Sequence, residues 1–170
     1  MPNTYTLIAS STVGAGGASS IDFTSIPSTY TDLCLKVSSR DTYSAAFLDV
    51  FLQFSGITTS VYTYRRLTGD GSSAASSFGT DVKLPVAIHN GATSTSNTFT
   101  NWEIYIPNYT SSNNKTVSVD MTAEQNATLS YTGLYAGIMA NTSTVTSIKL
   151  LCQTAFAQYS TAYLYGIKNS

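Results

Sequence analysis

The sequence contains little charge. Asp, Glu, Lys and Arg make up 10 % of the 170 residues, and the formal net charge is -1, whereas about 25 % of a typical soluble domain is charged. The eight Lys and Arg residues are dispersed, apart from the neighbours Arg65 and Arg66. Nucleic-acid binding needs a clustered basic face, so the sequence predicts no nucleic-acid partner.

Long apolar runs are also missing. No segment approaches the 18 or more consecutive apolar residues typical of a membrane-spanning helix. The N-terminal segment MPNTYTLIASSTVG has neither the basic start nor the continuous apolar stretch of a signal peptide. We therefore expect a soluble chain that is made in the cytoplasm and has no membrane partner.

Histidine and cysteine are scarce. His89 is the only histidine, which excludes a histidine cluster around a metal and leaves one possible base for a Ser-His-Asp site. It ends a predicted strand in IHNGAT, and we expect it to be a surface turn residue. Cys34 and Cys152 lie in apolar runs, so we expect two reduced core thiols. The sequence predicts no metal site and no cofactor.

Hydroxyl side chains are abundant, since 51 of 170 residues are Ser or Thr. The chain is nevertheless 42 % apolar and 12 % aromatic, whereas disordered chains are poor in apolar residues and strongly charged. Its length is near the usual size of one domain. We predict a single folded domain over residues 1–170.

Apolar and polar residues alternate with a period of two in many segments, which is typical of half-buried strands. The inward sets predicted from TDLCLKVSS, FLDVFLQF, NWEIYIP and TVSVDMT are Leu33, Leu35 and Val37; Leu48, Val50, Leu52 and Phe54; Trp102, Ile104 and Ile106; and Val117, Val119 and Met121. Ten to eleven short strands with Gly-, Asn- and Ser-rich turns, and no helical period, predict an all-β fold. We favour a jelly-roll-like antiparallel β-sandwich, with a barrel as the second choice.

Two prolines and one polar segment refine this expectation. Pro27, in IDFTSIPSTYTDL, predicts a corner where the chain crosses between the two sheets before the strand that begins at Asp32. Pro85 would remove a hydrogen-bond donor from its ladder, which confines VKLPVAIHN to an edge or a bulge. The composition of residues 69–79, GDGSSAASSFG, predicts a flexible loop that projects from one end of the sandwich.

Candidates for catalysis are few. Two carboxyl groups about 5 to 9.5 Å apart could hydrolyse a glycosidic bond if the environment raised the pKa of one of them. Asp49, Glu103 and Asp120 each lie on the polar side of a predicted strand. Such pairs arise by chance in any β protein with nine acids, so we expect solvated strand faces and predict that the chain is not an enzyme.

Tyrosine occurs twelve times. It is favoured in strands, but an exposed ring can also anchor a protein interface or stack on a sugar. The one local cluster of interface-prone residue types consists of Tyr62, Tyr64, Arg65 and Arg66. We predict these four residues as interface candidates.

Two terminal segments carry a resemblance. YTLIASSTVGAGGASSIDFTSIPSTYTDLCLKVSSR and STAYLYGIKNS resemble virion structural proteins of tailed bacteriophages. The likeness covers the first forty residues and the last twelve, and the middle of the chain shares only the strand rhythm. The resemblance implies a β-sandwich displayed on a capsid or tail, usually as a symmetric oligomer, with no active-site motif to carry over.

From this resemblance we expect a capsid decoration, or cement, protein on the outer surface of the virion. It would be made in the bacterial cytoplasm and bind the major capsid protein as a homotrimer, which matches the local symmetry of an icosahedral lattice. The absence of a repeat or shaft disfavours a fibre. One alternative is a tail-fibre or receptor-binding domain that recognises host surface glycan through Tyr62 and Tyr64. Another is a glycan-degrading enzyme that uses Asp49 and Glu103.

Overall fold

The computed structural model describes residues 4–127 and 129–168 and contains twelve β-strands and no helix in those ranges. The end of the STAYLYGIKNS segment lies outside them. The strands are β1 (Tyr5–Thr12), β2 (Ala18–Phe23), β3 (Asp32–Ser39), β4 (Phe47–Phe54), β5 (Tyr62–Gly69), β6 (Ala74–Asp81), β7 (Leu84–Asn90), β8 (Thr100–Ile106), β9 (Lys115–Glu124), β10 (Ser130–Met139), β11 (Ile148–Phe156) and β12 (Thr161–Ile167). The described part of the chain accordingly offers no helix that could cross a membrane.

The strands pair in two antiparallel sheets. The larger has eight strands in the order β1-β12-β3-β8-β9-β10-β5-β6, and the smaller has four in the order β2-β11-β4-β7. Strand β7 packs across β8, β9 and β10, and the two sheets enclose one hydrophobic core. The prediction of an all-β sandwich is confirmed, while the jelly-roll connectivity stays a prediction.

The period-two patterns bury their apolar residues as predicted, except that Leu48 near the start of β4 is half-buried while Val50, Leu52 and Phe54 are buried. The inward residues of β3, Leu33, Leu35 and Val37, are buried. The predicted sets on β8 and β9 are buried too, and β9 alternates between buried and exposed residues over all ten positions. Burial of these side chains, at about 25 cal/mol per Å² of apolar surface, is the main force that holds the two sheets together.

The segment predicted as a flexible loop, residues 69–79, is a hairpin. Strand β6 pairs with β5 over its whole length, from Gly69 opposite Ala74 to Tyr62 opposite Asp81. The turn is held by Asp70, whose carboxylate accepts hydrogen bonds from backbone N–H groups in the turn. The prediction is wrong because Ala, Ser and Gly are not typical strand residues. The β-ladder needs only backbone N–H and C=O groups, and β5 supplies the hydrogen-bond partners for those of β6.

Both proline predictions are confirmed. Strand β2 belongs to the small sheet and β3 to the large one, so the chain crosses between sheets at Pro27. The Tyr109 hydroxyl donates a hydrogen bond to the Pro27 carbonyl, which fixes this corner. Pro85 lies on β7, an edge strand, next to a register shift opposite Val50 and Phe51.

Strand β10 runs unusually close to β7. A Cβ atom added at Gly137 would lie 2.5 Å from a methyl carbon of Leu84, so the sheets approach each other closely only because this residue is glycine. Gly133 and Gly137 therefore face the core. The larger residues that alternate with them, Leu134 and Ile138, face outward and are exposed.

Candidate functional site: the outer face of the large sheet

The four predicted interface residues lie on β5, where strand geometry turns them to opposite faces. Tyr62 is fully buried. Its hydroxyl accepts a hydrogen bond from the Phe54 N–H at 3.0 Å and donates one to the Ile57 carbonyl at 3.0 Å. Tyr64 is half-buried and packs against the hydrophobic core. These two tyrosines are parts of the interior.

The two arginines of the cluster have different surroundings. Arg66 faces inward, where it forms an ion pair of 2.8 Å with Asp49 and donates to the Ser77 hydroxyl at 2.6 Å. Arg65 faces outward and is exposed, with its guanidinium carbon 4.8 Å from the centre of the Phe78 ring. Of the four candidates, Arg65 is the one on an exposed face.

That exposed face is the outer surface of the eight-stranded sheet, and large apolar side chains lie on it at two places. The first, which we call the tyrosine end, comprises four residues of β1 and β12: Tyr5, Leu7, Tyr163 and Tyr165. The second, which we call the β10 stripe, comprises five residues of β10, β5 and β6: Leu67, Phe78, Leu134, Ala136 and Ile138. Contiguous exposed apolar surface of this kind marks interaction sites in soluble proteins.

The exposed fractions show how unusual the β10 stripe is. Phe78 is 73 % exposed, Leu134 61 %, Leu67 51 % and Ile138 43 %. Leu134 lies directly opposite Leu67 in the ladder, so their side chains are neighbours on one surface. Open depressions of about 300 and 400 Å³ lie beside Leu134 and Ile138.

Two of the three candidate carboxylates come together between these two places. Glu103 on β8 lies directly opposite Asp120 on β9, whereas Asp49 lies on the small sheet. Residues opposite each other on adjacent strands have Cβ atoms about 5 Å apart, a spacing compatible with a carboxylate pair. Glu103 also forms an ion pair with Lys36 across β3 and β8.

The surroundings of this pair do not match those of a glycosidase acid. The general acid of such an enzyme is kept protonated by an environment that withholds water. The Glu103 side chain is 37 % exposed, and Asp120 is exposed as well. A polar strand face commonly places solvent-exposed carboxylates beside a lysine. The geometry therefore does not support the alternative of a glycan-degrading enzyme.

The prediction for His89 is wrong, because this residue is completely buried on β7. Its Nδ1 lies 3.1 Å from the Ser39 hydroxyl, which also accepts a hydrogen bond from Trp102 Nε1 at 2.9 Å. Its Nε2 lies 3.5 Å from Asp41 Oδ2. The sequence signal was misread because the turn begins two residues later, at Gly91, and the strand continues through His89.

Ser39, His89 and Asp41 are the residue types of a catalytic triad, yet each is 0 % exposed. A nucleophile must reach its substrate, and this serine is sealed in the interior. Burial lowers the pKa of His89, against the opposing effect of Asp41. Burial alone would raise the pKa of Asp41, but the nearby His89 ring and hydrogen bonds from the backbone N–H groups of Tyr43 and Gln153 lower it to about 2. The set is structural.

Arg40 stands beside this set and is 9 % exposed. Its guanidinium donates hydrogen bonds to the carbonyl oxygens of four residues in the loop between β7 and β8, namely Ala92, Ser94, Thr95 and Thr98. None of the described acidic side chains forms an ion pair with it. Arg40 directly follows β3, in the segment that crosses to β4 in the other sheet. Its hydrogen bonds therefore connect this crossing with the second one, which leads from β7 to β8. We call Arg40, Asp41, His89 and the loop 91–99 the polar corner.

The two cysteines are free thiols. Cys34 is buried and Cys152 is half-buried, and burial raises the pKa of both to about 12, which makes them poor nucleophiles and poor metal ligands. Within residues 4–127 and 129–168, no group of three or more His, Cys, Asp or Glu side chains is placed to hold a metal ion.

Comparison with known proteins yields no relative for this arrangement: no family model matches the sequence, and no curated protein and no solved structure matches it at a significant level. The function therefore has to be argued from the outer face itself. The sequence pointed to β5 for this site, whereas the structure adds Leu134, Ile138 and Phe78. Their exposure had no sequence signal, because Leu, Ile and Phe ordinarily indicate a core.

Proposed function

We propose that the chain is a virion structural subunit of a tailed bacteriophage, a capsid decoration protein that binds the major capsid protein and stabilises the head. The observation that carries the proposal is the outer face of the large sheet, which exposes large apolar and aromatic side chains at both of its ends. Such surface makes a free monomer prone to aggregation, whereas in an assembly a neighbouring subunit covers it and its burial stabilises the contact. The resemblance of the terminal segments supplies the kind of assembly.

We assign the tyrosine end to the contact with the capsid. Tyr5 is 47 % exposed and Tyr163 38 % exposed, and the Tyr5 ring packs edge-on against Tyr165 with centroids 6.2 Å apart. Tyrosine suits such a contact because its ring buries a large area at low entropic cost while its hydroxyl still reaches a polar partner.

Binding to particles tests this proposal. Particles from a phage that lacks this gene are mixed with the purified chain, and the bound chain is counted and located by electron cryomicroscopy. We expect saturation at hundreds of copies on the outside of the head. Replacing both Tyr5→Ser and Tyr163→Ser weakens binding about tenfold or more. The matched control is Tyr43→Ser, because Tyr43 is 46 % exposed outside this face. A few copies per particle, or density on the tail, contradicts the proposal.

One depression favours a second candidate, recognition of host glycan by a receptor-binding domain. A hollow of about 380 Å³ next to the tyrosine end is lined by Tyr163, Asn101, Glu103 and Asp120, among others. An aromatic ring beside amide and carboxylate groups can stack on and hydrogen-bond a sugar. A glycan array whose signal disappears in Asn101→Ala supports this candidate. A blank array, together with high copy number on the head, rejects it.

A further inference from the structure

We infer that the β10 stripe is a two-fold interface with a second copy of this chain, in which the symmetry axis runs along β10. The inference goes beyond the proposed capsid function and does not depend on it. It assigns a partner to the part of the outer face that lies farthest from the tyrosine end. Three features of the stripe support it: its apolar surface, its shape and its charges.

The stripe extends across three strands, and Arg65 is the one charged residue in its outward rows. Leu134 on β10 lies opposite Leu67 on β5, and the next outward row has Ala136 opposite Arg65, which is opposite Phe78 on β6. This is the pattern of the inner face of a sheet that packs on another sheet about 10 Å away. The second sheet is missing within the described residues, so an equivalent one from another copy can fill its place.

The shape of the stripe suits packing against itself. Leu134 and Ile138 project from β10, and Ala136 between them is small. Under a half-turn about an axis along β10, Leu134, Ala136 and Ile138 of one copy meet the same three residues of the other, so the projecting row forms an apolar seam on the axis.

The charges beside the stripe select the direction of the axis. Asp120 lies on β9 and Arg65 on β5, so they flank β10 on opposite sides. Neither forms an ion pair with a described residue; Arg65 donates to the carbonyl of Tyr64 at 2.9 Å and stacks on Phe78.

A half-turn about an axis along β10 exchanges the β9 side with the β5 side. It brings Asp120 of each copy over Leu67 of the other. Arg65 lies two residues from Leu67 on the same strand, so its long side chain can reach the Asp120 carboxylate. Two ion pairs then close the rim of the apolar contact. An axis perpendicular to the strands would instead place Asp120 near Asp120 and Arg65 near Arg65, which like-charge repulsion disfavours.

Such a contact is isologous and closes with two copies. It predicts a dimer, whereas the local three-fold symmetry of an icosahedral lattice predicts a trimer. Light scattering coupled to size exclusion, followed across the micromolar range with the full chain, distinguishes them. We expect a species of twice 18.1 kDa. A monomer throughout this range, or a species of three times that mass, overturns the inference.

Charge reversal tests the geometry. Arg65→Glu places two acids against each other at both rims, and Asp120→Arg places two arginines there. Each single variant should raise the dimer dissociation constant about tenfold or more. Both positions are exposed, so circular dichroism and thermal unfolding of the monomers should match the unmodified chain. An unfolded variant is replaced by Arg65→Ala or Asp120→Ala, which remove the ion pairs without repulsion.

Mixing the two single variants gives the decisive result. In a dimer with one Arg65→Glu chain and one Asp120→Arg chain, each rim has one acid and one base again, so a heterodimer should form as tightly as the original. Failure of the mixture to associate overturns the proposed axis. A dimer that ignores both reversals and is lost in Ser77→Pro overturns the inference as well, because it would then be formed through the exposed edge of β6.

Discussion

The polar corner and the β10 stripe distribute polar and apolar residues in opposite ways, and one arginine lies within the corner while another lies beside the stripe. Arg40 is buried and its guanidinium is surrounded by backbone carbonyls, whereas Arg65 is exposed next to exposed leucines and a phenylalanine. In a chain with so little charge, one buried cation is used to hold loops together and one exposed cation lies at the border of an apolar surface. The difference indicates that the corner serves folding and the stripe serves association.

Lys115 supports this interpretation of buried cations. It is 1 % exposed, and its Nζ donates hydrogen bonds to the carbonyl oxygens of Ser111, Asn113 and Thr142. Burial lowers the pKa of Lys115 as it does that of Arg40. In these long polar loops, buried carbonyl oxygens need hydrogen-bond donors, and the buried Arg40 and Lys115 side chains supply them.

The largest difference between the two regions should appear when the same residue type is removed from each. Arg40→Ala leaves several buried carbonyls without their donor and should lower the free energy of unfolding by about 3 kcal/mol or more. Arg65→Ala should change it by no more than about 0.5 kcal/mol. Urea denaturation of the monomer at low concentration measures both. Equal effects would mean that the corner is not what stabilises the crossings.

Acidification should weaken the polar corner. The pKa of Asp41 is lowered to about 2 in the folded protein, so its contribution of roughly 2 kcal/mol is present above pH 4 and lost as the pH falls towards 2. The pKa of His89 is lowered too, so stability already begins to fall below about pH 6.5, where the unfolded chain takes up a proton. Unfolding free energies from pH 7 to pH 2 test this. In Asp41→Asn, the fall between pH 4 and pH 2 should become clearly smaller; a part remains because hydrogen bonds from Ser72 and Ser73 also lower the pKa of Asp70 to about 2. An unchanged fall would contradict the assignment.

A methyl group should also separate the two regions. A Cβ at Gly91 would lie 2.2 Å from the Ala45 carbonyl oxygen, so Gly91→Ala should cost about 1 to 2 kcal/mol as the segment around Ala45 shifts to relieve the overlap. Gly14 has no atom within 4 Å of the corresponding position, which makes Gly14→Ala the matched control. Thermal unfolding of both variants gives the comparison, and a neutral Gly91→Ala would show that the loop 91–99 is not tightly held.

The smallest effect on folding is expected on the stripe. The double variant Leu134→Thr, Ile138→Thr changes two outward positions of β10 to a β-branched residue, a type that strands favour. The unfolding free energy of the monomer should therefore change by less than about 0.5 kcal/mol. Sedimentation of the same double variant should show much weaker self-association. A large loss of monomer stability would show that the stripe contributes to the fold and not only to contacts.

Much of the fold could be predicted because strand alternation is written locally. The buried sets of β3, β8 and β9 follow from a period of two, and the crossing at Pro27 follows from the fixed geometry of proline. Strand β6 could not be predicted, since an edge strand of Ala, Ser and Gly is formed by backbone pairing with its neighbour. The candidate site was only partly predicted, because alternation along β5 turns Tyr62, Tyr64 and Arg66 inward and leaves only Arg65 of the four on the outer face.

Local sequence patterns specify the fold class, the positions of most strands and the inward faces of those whose apolar and polar residues alternate. The arrangement on β10 and around His89 depends on contacts between distant segments. On β10 the close approach of Leu84 leaves room for Gly137 alone, so glycines face inward and Leu134 and Ile138 outward. Around His89 the packing of loop 91–99 against Arg40 seals polar groups in the interior. Both outcomes depend on distances between segments far apart in the chain, which no local pattern records.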